Sequence, residues 1–258
     1  MKAFNHQSGR YISVGDANIY VEEAGTPDGF PIIFLHGGLG SIQDFSSLLD
    51  KIIGSYRYIG IDSRGHGKST SGTQAFSYER LESDVGSILN QLNIRKCAMI
   101  GFSDGGIIAY RLAINNPTLI AKLISIGADW NPPDSNLIKL FSSLTADAWE
   151  KRFPGTIADY KQLNPQEKFD HLMKNVISMW TDLSPSGYPG NRVKEIECET
   201  LIIRGDEDKF MPLNSLLNLH EDLVNSNFLN VPFAGHAAHI DQAGMVSMVI
   251  NQFLRFAI

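Results

Sequence analysis

The 258-residue sequence has only two cysteines, and no Cys-x-x-Cys or Cys/His spacing that would suit a redox pair or a metal. Cys97 and Cys198 each open or border an apolar run, so both are expected to be small buried hydrophobes rather than half of a disulfide or zinc ligands. Runs of lysine or arginine are missing too. Twenty-two basic residues against 28 acidic ones leave a formal charge of −6, which argues against nucleic acid or an anionic membrane as partner. No window approaches the ~20 apolar residues needed to cross a bilayer. Met1 to Val14 has a single lysine and no apolar stretch, so it does not read as a signal peptide. Neither Gly-x-x-x-x-Gly-Lys-Ser/Thr nor an early Gly-x-Gly-x-x-Gly is present, which disfavours nucleotide binding. What remains is a cytoplasmic protein, a monomer or homodimer, working on a small molecule without metal or cofactor.

With 43% hydrophobic and 19% charged residues, the composition is that of an ordinary globular chain, and the length suits one large α/β domain. Five short runs are apolar on both faces: Pro31–Leu35, Tyr56–Ile61, Cys97–Ile100, Leu123–Ile126 and Leu201–Ile203. Such runs predict central strands of a parallel sheet covered by helices. Helical spacing lies between them. Leu81, Val85, Ile88, Leu89 and Leu92 recur at intervals of three and four in Tyr78–Leu92, Gly105–Ile114 is apolar nearly all round, and Met245–Phe256 carries one apolar stripe. Tyr11–Val14 and Asn18–Glu22, joined by Gly15-Asp16-Ala17, predict an antiparallel hairpin at the sheet edge. The alternation predicts a mostly parallel, doubly wound α/β sheet. It breaks once. Residues 131–192, with helical patterns at Leu137–Leu144 and Phe169–Trp180, predict a helical lid inserted between core segments 1–130 and 193–258.

The sharpest signal is Gly101-Phe102-Ser103-Asp104-Gly105-Gly106, placed directly between a strand run and a helix. A nucleophile on a tight strand-to-helix turn needs neighbours without bulk, and the helix start beneath it supplies free N–H groups and a positive dipole. A serine hydroxyl also needs a base to take its proton and a carboxylate to orient that base. Of the seven histidines, His6 and His220 lie in polar contexts and are expected at the surface, and His171 falls in the insertion. His36 and His66 open Gly-rich loops and are expected to brace them. His236 follows Gly235 in the loop after the Phe228–Val231 strand, which would bring it to the edge where Ser103 stands, leaving His239 as a bystander. The carboxylate should follow Leu201–Ile203. There Asp206, Glu207 and Asp208 compete, with Asp129 as a further candidate, and spacing does not choose among them. The negative charge formed on attack requires two N–H donors. One should come from Asp104 and the other from His36-Gly37-Gly38-Leu39-Gly40, most simply through Gly38.

These pieces, with the loop Asp62-Ser63-Arg64-Gly65-His66-Gly67-Lys68-Ser69, resemble the α/β-hydrolase family over nearly the whole chain. The resemblance implies an α/β-hydrolase fold and a Ser, acid, His order, with Ser103 as nucleophile and His236 as base. In the family's Gly-x-x-Asp-x-x-x-Pro loop the acid falls on Asp208, with Gly205 and Pro212 in register. The Ser103-Asp104-Gly105-Gly106 run resembles the group around valacyclovir hydrolase, which implies that the Asp104 side chain holds the ammonium of an α-amino-acid ester. Leu39 and Trp130 are expected beside it at the substrate. The activity implied is hydrolysis of a carboxylic ester, thioester or amide, or a carbon–carbon hydrolase, enol-lactonase or lyase reaction on the same three residues.

Overall fold

Each strand-length apolar run forms a strand, with ends extended by up to three residues where sheet pairing continues past the apolar centre. The computed structural model describes residues 3–164 and 168–255. In chain order the first half comprises β1 (Arg10–Val14), β2 (Ala17–Gly25), β3 (Phe30–Leu35), α1 (Ser46–Leu49), β4 (Tyr56–Ile61), α2 (Tyr78–Gln91), β5 (Cys97–Phe102), α3 (Asp104–Asn115) and β6 (Ile120–Ile126). Then come α4 (Ser135–Ser142), α5 (Ala146–Arg152), α6 (Thr156–Leu163) and α7 (Phe169–Trp180). The chain closes with β7 (Glu199–Gly205), α8 (Leu213–Asp222), β8 (Ser226–Val231), α9 (Ala238–Asp241) and α10 (Ala243–Leu254). The end of the helix expected to reach Phe256 lies outside the described residues. α5 and α6 were not legible as separate helices, because each is barely two turns long and lacks a full apolar stripe.

All eight strands form one sheet in the order β1-β2-β4-β3-β5-β6-β7-β8. β2 runs antiparallel to both neighbours, and pairings from β4 through β8 are parallel. The period-two alternation of side chains sorts the apolar runs into two cores. Ile33, Met99, Leu123 and Ile202 meet Val85, Ile88 and Leu89 of α2, Ile108 and Leu112 of α3, and Leu216 and Leu219 of α8. Phe34, Ile100, Ile124 and Ile203 meet Leu48 and Leu49 of α1 and Val246 and Ile250 of α10 on the opposite face. Burial on both faces explains why these strands read as continuous apolar runs.

One histidine assignment changes. His6, expected at the surface, is buried, with Nε2 2.7 Å from Oδ2 of Asp62. The Asp62 carboxylate also accepts the Ile42 N–H at 3.1 Å and the Lys68 N–H at 2.9 Å. A buried carboxylate must find donors, and here they come from three separate segments, one of them 56 residues away in sequence. His36 and His66 do brace loops. His36 Nε2 accepts the Ser63 N–H at 2.9 Å, so its Nδ1 carries the proton and donates to the Gly37 carbonyl at 2.7 Å. Burial lowers the pKa of both rings, that of His66 to about 3, which keeps them neutral.

Candidate active site

Ser103 stands between β5 and α3 with φ 50° and ψ −117°, a region that side-chain-bearing residues seldom occupy. The turn is that tight because the start of α3 packs almost in contact with both β5 and the end of β3. A Cβ on Gly105 would enter the shell of the Leu35 carbonyl, and one on Gly101 would strike the Gly105 carbonyl. The Ser103 N–H is held by the Ile126 carbonyl at 2.8 Å, so the neighbouring parallel strand helps fix the strained residue in place.

The loops after β7 and β8 bring two further groups to this turn. His236 Nε2 lies 3.0 Å from Ser103 Oγ, and His236 Nδ1 lies 2.9 Å from Asp208 Oδ2. The second Asp208 oxygen accepts N–H groups of Phe210 at 2.8 Å and Met211 at 3.3 Å. Both carboxylate oxygens are therefore engaged, and the Asp208 side chain is fully shielded from solvent. Arg204 of β7 stabilises this loop from below by donating to the main-chain carbonyls of Met211, Asp206 and Asp208 and to Asn230. Phe102 and Phe210 flank the imidazole, with ring centroids 5.1 and 4.8 Å away. An alcohol, an imidazole and a carboxylate in this geometry can pass the alcohol proton to the ring while the carboxylate fixes the ring's tautomer.

The competing acids point elsewhere. Asp206 accepts the Ala234 N–H at 3.3 Å, and Glu207 is exposed. Asp129 accepts the Asn131 N–H at 3.1 Å and a bond from the Ser215 side chain, and burial raises its pKa. His239 is completely buried against Phe45 and Phe102, and burial pushes its pKa down to about 3.

Ser103 and His236 open onto a cavity of about 860 Å³. Gly38, Leu39 and Asp104 line it, together with residues of 131–192 such as Leu137, Phe141, Trp149 and Trp180. Trp130, expected at the substrate surface, is buried and lies outside the lining, whereas its neighbours Asp129 and Asn131 face the space. The Asp104 side chain is held by two residues that sequence reasoning missed. The Tyr78 hydroxyl donates to Oδ1 at 2.8 Å, and the Trp180 indole N–H reaches Oδ1 at 2.8 Å and Oδ2 at 2.9 Å. Burial still dominates and pushes the Asp104 pKa up to about 6, against the lowering effect of these two donors and of His236. Tyr78 and Trp180 look like ordinary apolar positions at the ends of helical stripes, and nothing in the pattern reveals where their polar tips point.

Comparison with known proteins agrees with this architecture. Residues 31–169 match the family model for the alpha/beta hydrolase fold. The chain is 27% identical to the AB hydrolase superfamily protein YisY of Bacillus subtilis, over 95% of this chain and 98% of that protein. It is 26% identical to a 2-hydroxy-6-oxononadienedioate/2-hydroxy-6-oxononatrienedioate hydrolase of Escherichia coli, covering 95% of each. Among solved structures, an esterase from Exiguobacterium antarcticum superposes with a TM-score of 0.77 at 22% identity, covering 96% of this chain and 99% of that one. With one β2-reversed parallel sheet, a strained serine at the end of β5 and a match spanning more than half its length, this chain belongs to the α/β-hydrolase fold family.

Proposed function

We propose that the protein is a serine hydrolase of small carboxylic esters, with thioesters and amides as chemically related substrates. The observation that carries this reading is the unbroken hydrogen-bonded chain Ser103–His236–Asp208 opening onto a large cavity. Ser103 Oγ attacks the carbonyl carbon while His236 Nε2 takes its proton, and Asp208 stabilises the imidazolium that forms. The main-chain N–H groups of Gly38 and Asp104 receive the developing oxyanion. His236 then protonates the leaving alcohol, leaving an acyl group on Ser103. A water molecule, deprotonated by the same ring, attacks the acyl carbonyl and releases the acid. Residues 131–192 act as a lid that narrows the cavity and keeps bulk water from the acyl-enzyme.

The Asp104 carboxylate supports the finer reading of an α-amino-acid ester. It faces the cavity beside Gly38, and above a pKa of about 6 its charge is available to an ammonium group. A screen of small esters with and without a free α-amino group tests both levels. Turnover of any ester that disappears in Ser103→Ala supports the hydrolase. Preference for amino esters that disappears in Asp104→Ala supports the subsite, and indifference to the amino group refutes it.

The Escherichia coli relative favours a second reading, carbon–carbon hydrolysis on the same three residues. Vinylogous diketones and enol lactones turned over in place of activated esters would select it.

A further inference from the structure

Two cations on the cavity wall, Arg152 and Lys209, form no ion pair among the described residues. The Arg152 guanidinium, at the C-terminal end of α5, lies 5.6 Å from the Phe153 ring centroid and 5.7 Å from that of Phe210. Phe210 in turn packs edge-on against His236, 4.8 Å between centroids, and stacks on Phe141. Arg152 therefore sits within two ring contacts of the imidazole, on the wall of the same cavity, which Lys209 also lines. Among the described residues no carboxylate pairs with Arg152 or Lys209. Several arginines elsewhere do find acids: Arg57 with Glu23, Arg64 with Asp84 and Asp16, Arg111 with Glu82.

The acids of the cavity bond to donors other than these two cations. Asp134 accepts the N–H groups of Asn136 and Leu137 at the start of α4. Asp129 takes the Asn131 N–H and the Ser215 side chain, while Asp104 takes Tyr78 and Trp180. Burial pushes Asp44 up to about 7, so about half its charge is lost at neutrality. A guanidinium lying over two rings keeps its donor edges free for a ligand, and the rings reduce the freedom it would lose on binding. Arginine matches a carboxylate through paired N–H donors.

From this arrangement we infer that Arg152, with Lys209 on the wall of the same cavity, forms an anion subsite selecting substrates that carry a carboxylate away from the scissile bond. The inference rests on the hydrolase reading and extends it by naming a substrate class. It treats α5 as a specificity element, with Arg152 gripping substrate while Ser103 performs the chemistry.

Two matched ester pairs test it: 4-nitrophenyl hydrogen adipate against its methyl-capped diester, and 4-carboxyphenyl butyrate against phenyl butyrate. The first pair places the carboxylate on the acyl side, the second on the leaving group. In at least one pair, kcat/KM should favour the charged member about tenfold, the size expected of a partly exposed charge-assisted contact. The advantage should shrink in high salt, be largely lost in Arg152→Gln, be only partly kept in Arg152→Lys, which retains the charge without the paired donors, and weaken in Lys209→Gln, with the neutral esters unaffected. Equal turnover within both pairs, or an Arg152→Gln variant that slows charged and neutral esters alike, would overturn the subsite. Binding of free adipate by titration calorimetry separates this failure from failure of the hydrolase reading. Wild type should bind adipate several-fold more tightly than Arg152→Gln even if no ester is cleaved, and equal binding would again overturn the proposal.

Discussion

The strain at Ser103 makes a stability prediction whose sign runs opposite to that of activity. The residue is held at φ 50° and ψ −117°, and such a conformation costs a side-chain-bearing residue on the order of 1–3 kcal/mol. Ser103→Gly removes that strain, whereas Ser103→Ala keeps the Cβ and retains it. Glycine gives back about 0.5–1 kcal/mol through the greater freedom of its unfolded chain. Both variants lose the hydroxyl and its bond to His236, so comparing them isolates the backbone. The glycine variant should be the more stable by about 1 kcal/mol, and by no more than about 2.5, equivalent to roughly 2–5 °C in Tm for a chain of this size. Urea and thermal unfolding of the two proteins, side by side, measure the difference. Ester turnover should be lost in both. A glycine variant less stable than the alanine one by the full ~0.5–1 kcal/mol of glycine's unfolded-chain freedom would mean that the turn carries no strain, and the tight-elbow account of Ser103 would be wrong.

Two further perturbations probe the surroundings. Asp104 has a folded pKa of about 6 against an ordinary value of 3.8, so the native state holds its proton more tightly than the unfolded chain does. Its contribution to stability is complete below the unfolded value and is lost as pH rises through the folded one, a swing on the order of 3 kcal/mol. Asp104→Asn lacks this titration, and its stability relative to wild type should improve by about that amount between pH 3.5 and pH 7 in denaturant titrations; a pH-independent gap would refute the assignment. Arg204→Met releases the carbonyls of Asp206, Asp208 and Met211. It should lower kcat by roughly 10- to 100-fold through a misplaced Asp208, with KM little changed; steady-state kinetics showing an effect on KM alone would contradict that role.

Much of the core was readable because each central strand is buried on both faces, so its apolar run declares itself without knowledge of its partners. Ser103 was readable for a related reason: the close approach of α3 to β5 at Gly101 and to the end of β3 at Gly105 excludes a side chain at either, and that exclusion is written as glycine. Asp208 was different. Three acids crowd its loop, and what singles one out is a turn in which Phe210 and Met211 present their N–H groups to one carboxylate oxygen. No linear spacing encodes that turn, and only likeness to a family supplied the choice. His6 and Trp180 mark the limit more sharply. Each makes its decisive bond to a residue more than fifty positions away, Asp62 for one and Asp104 for the other. A polar context made His6 look exposed and an apolar stripe made Trp180 look like plain core, because local patterning reports burial and not the identity of a distant partner. Trp130 shows the converse, since lying between two cavity-facing residues did not bring its own side chain to the cavity.

The most direct test of the central claim is stoichiometric labelling by a fluorophosphonate, read by intact mass and peptide mapping. The account predicts one adduct per chain, on Ser103, formed rapidly in wild type, greatly slowed in His236→Ala and absent from Ser103→Ala. A folded wild-type protein that takes up no label, or a Ser103→Ala variant labelled as readily as wild type, would contradict it.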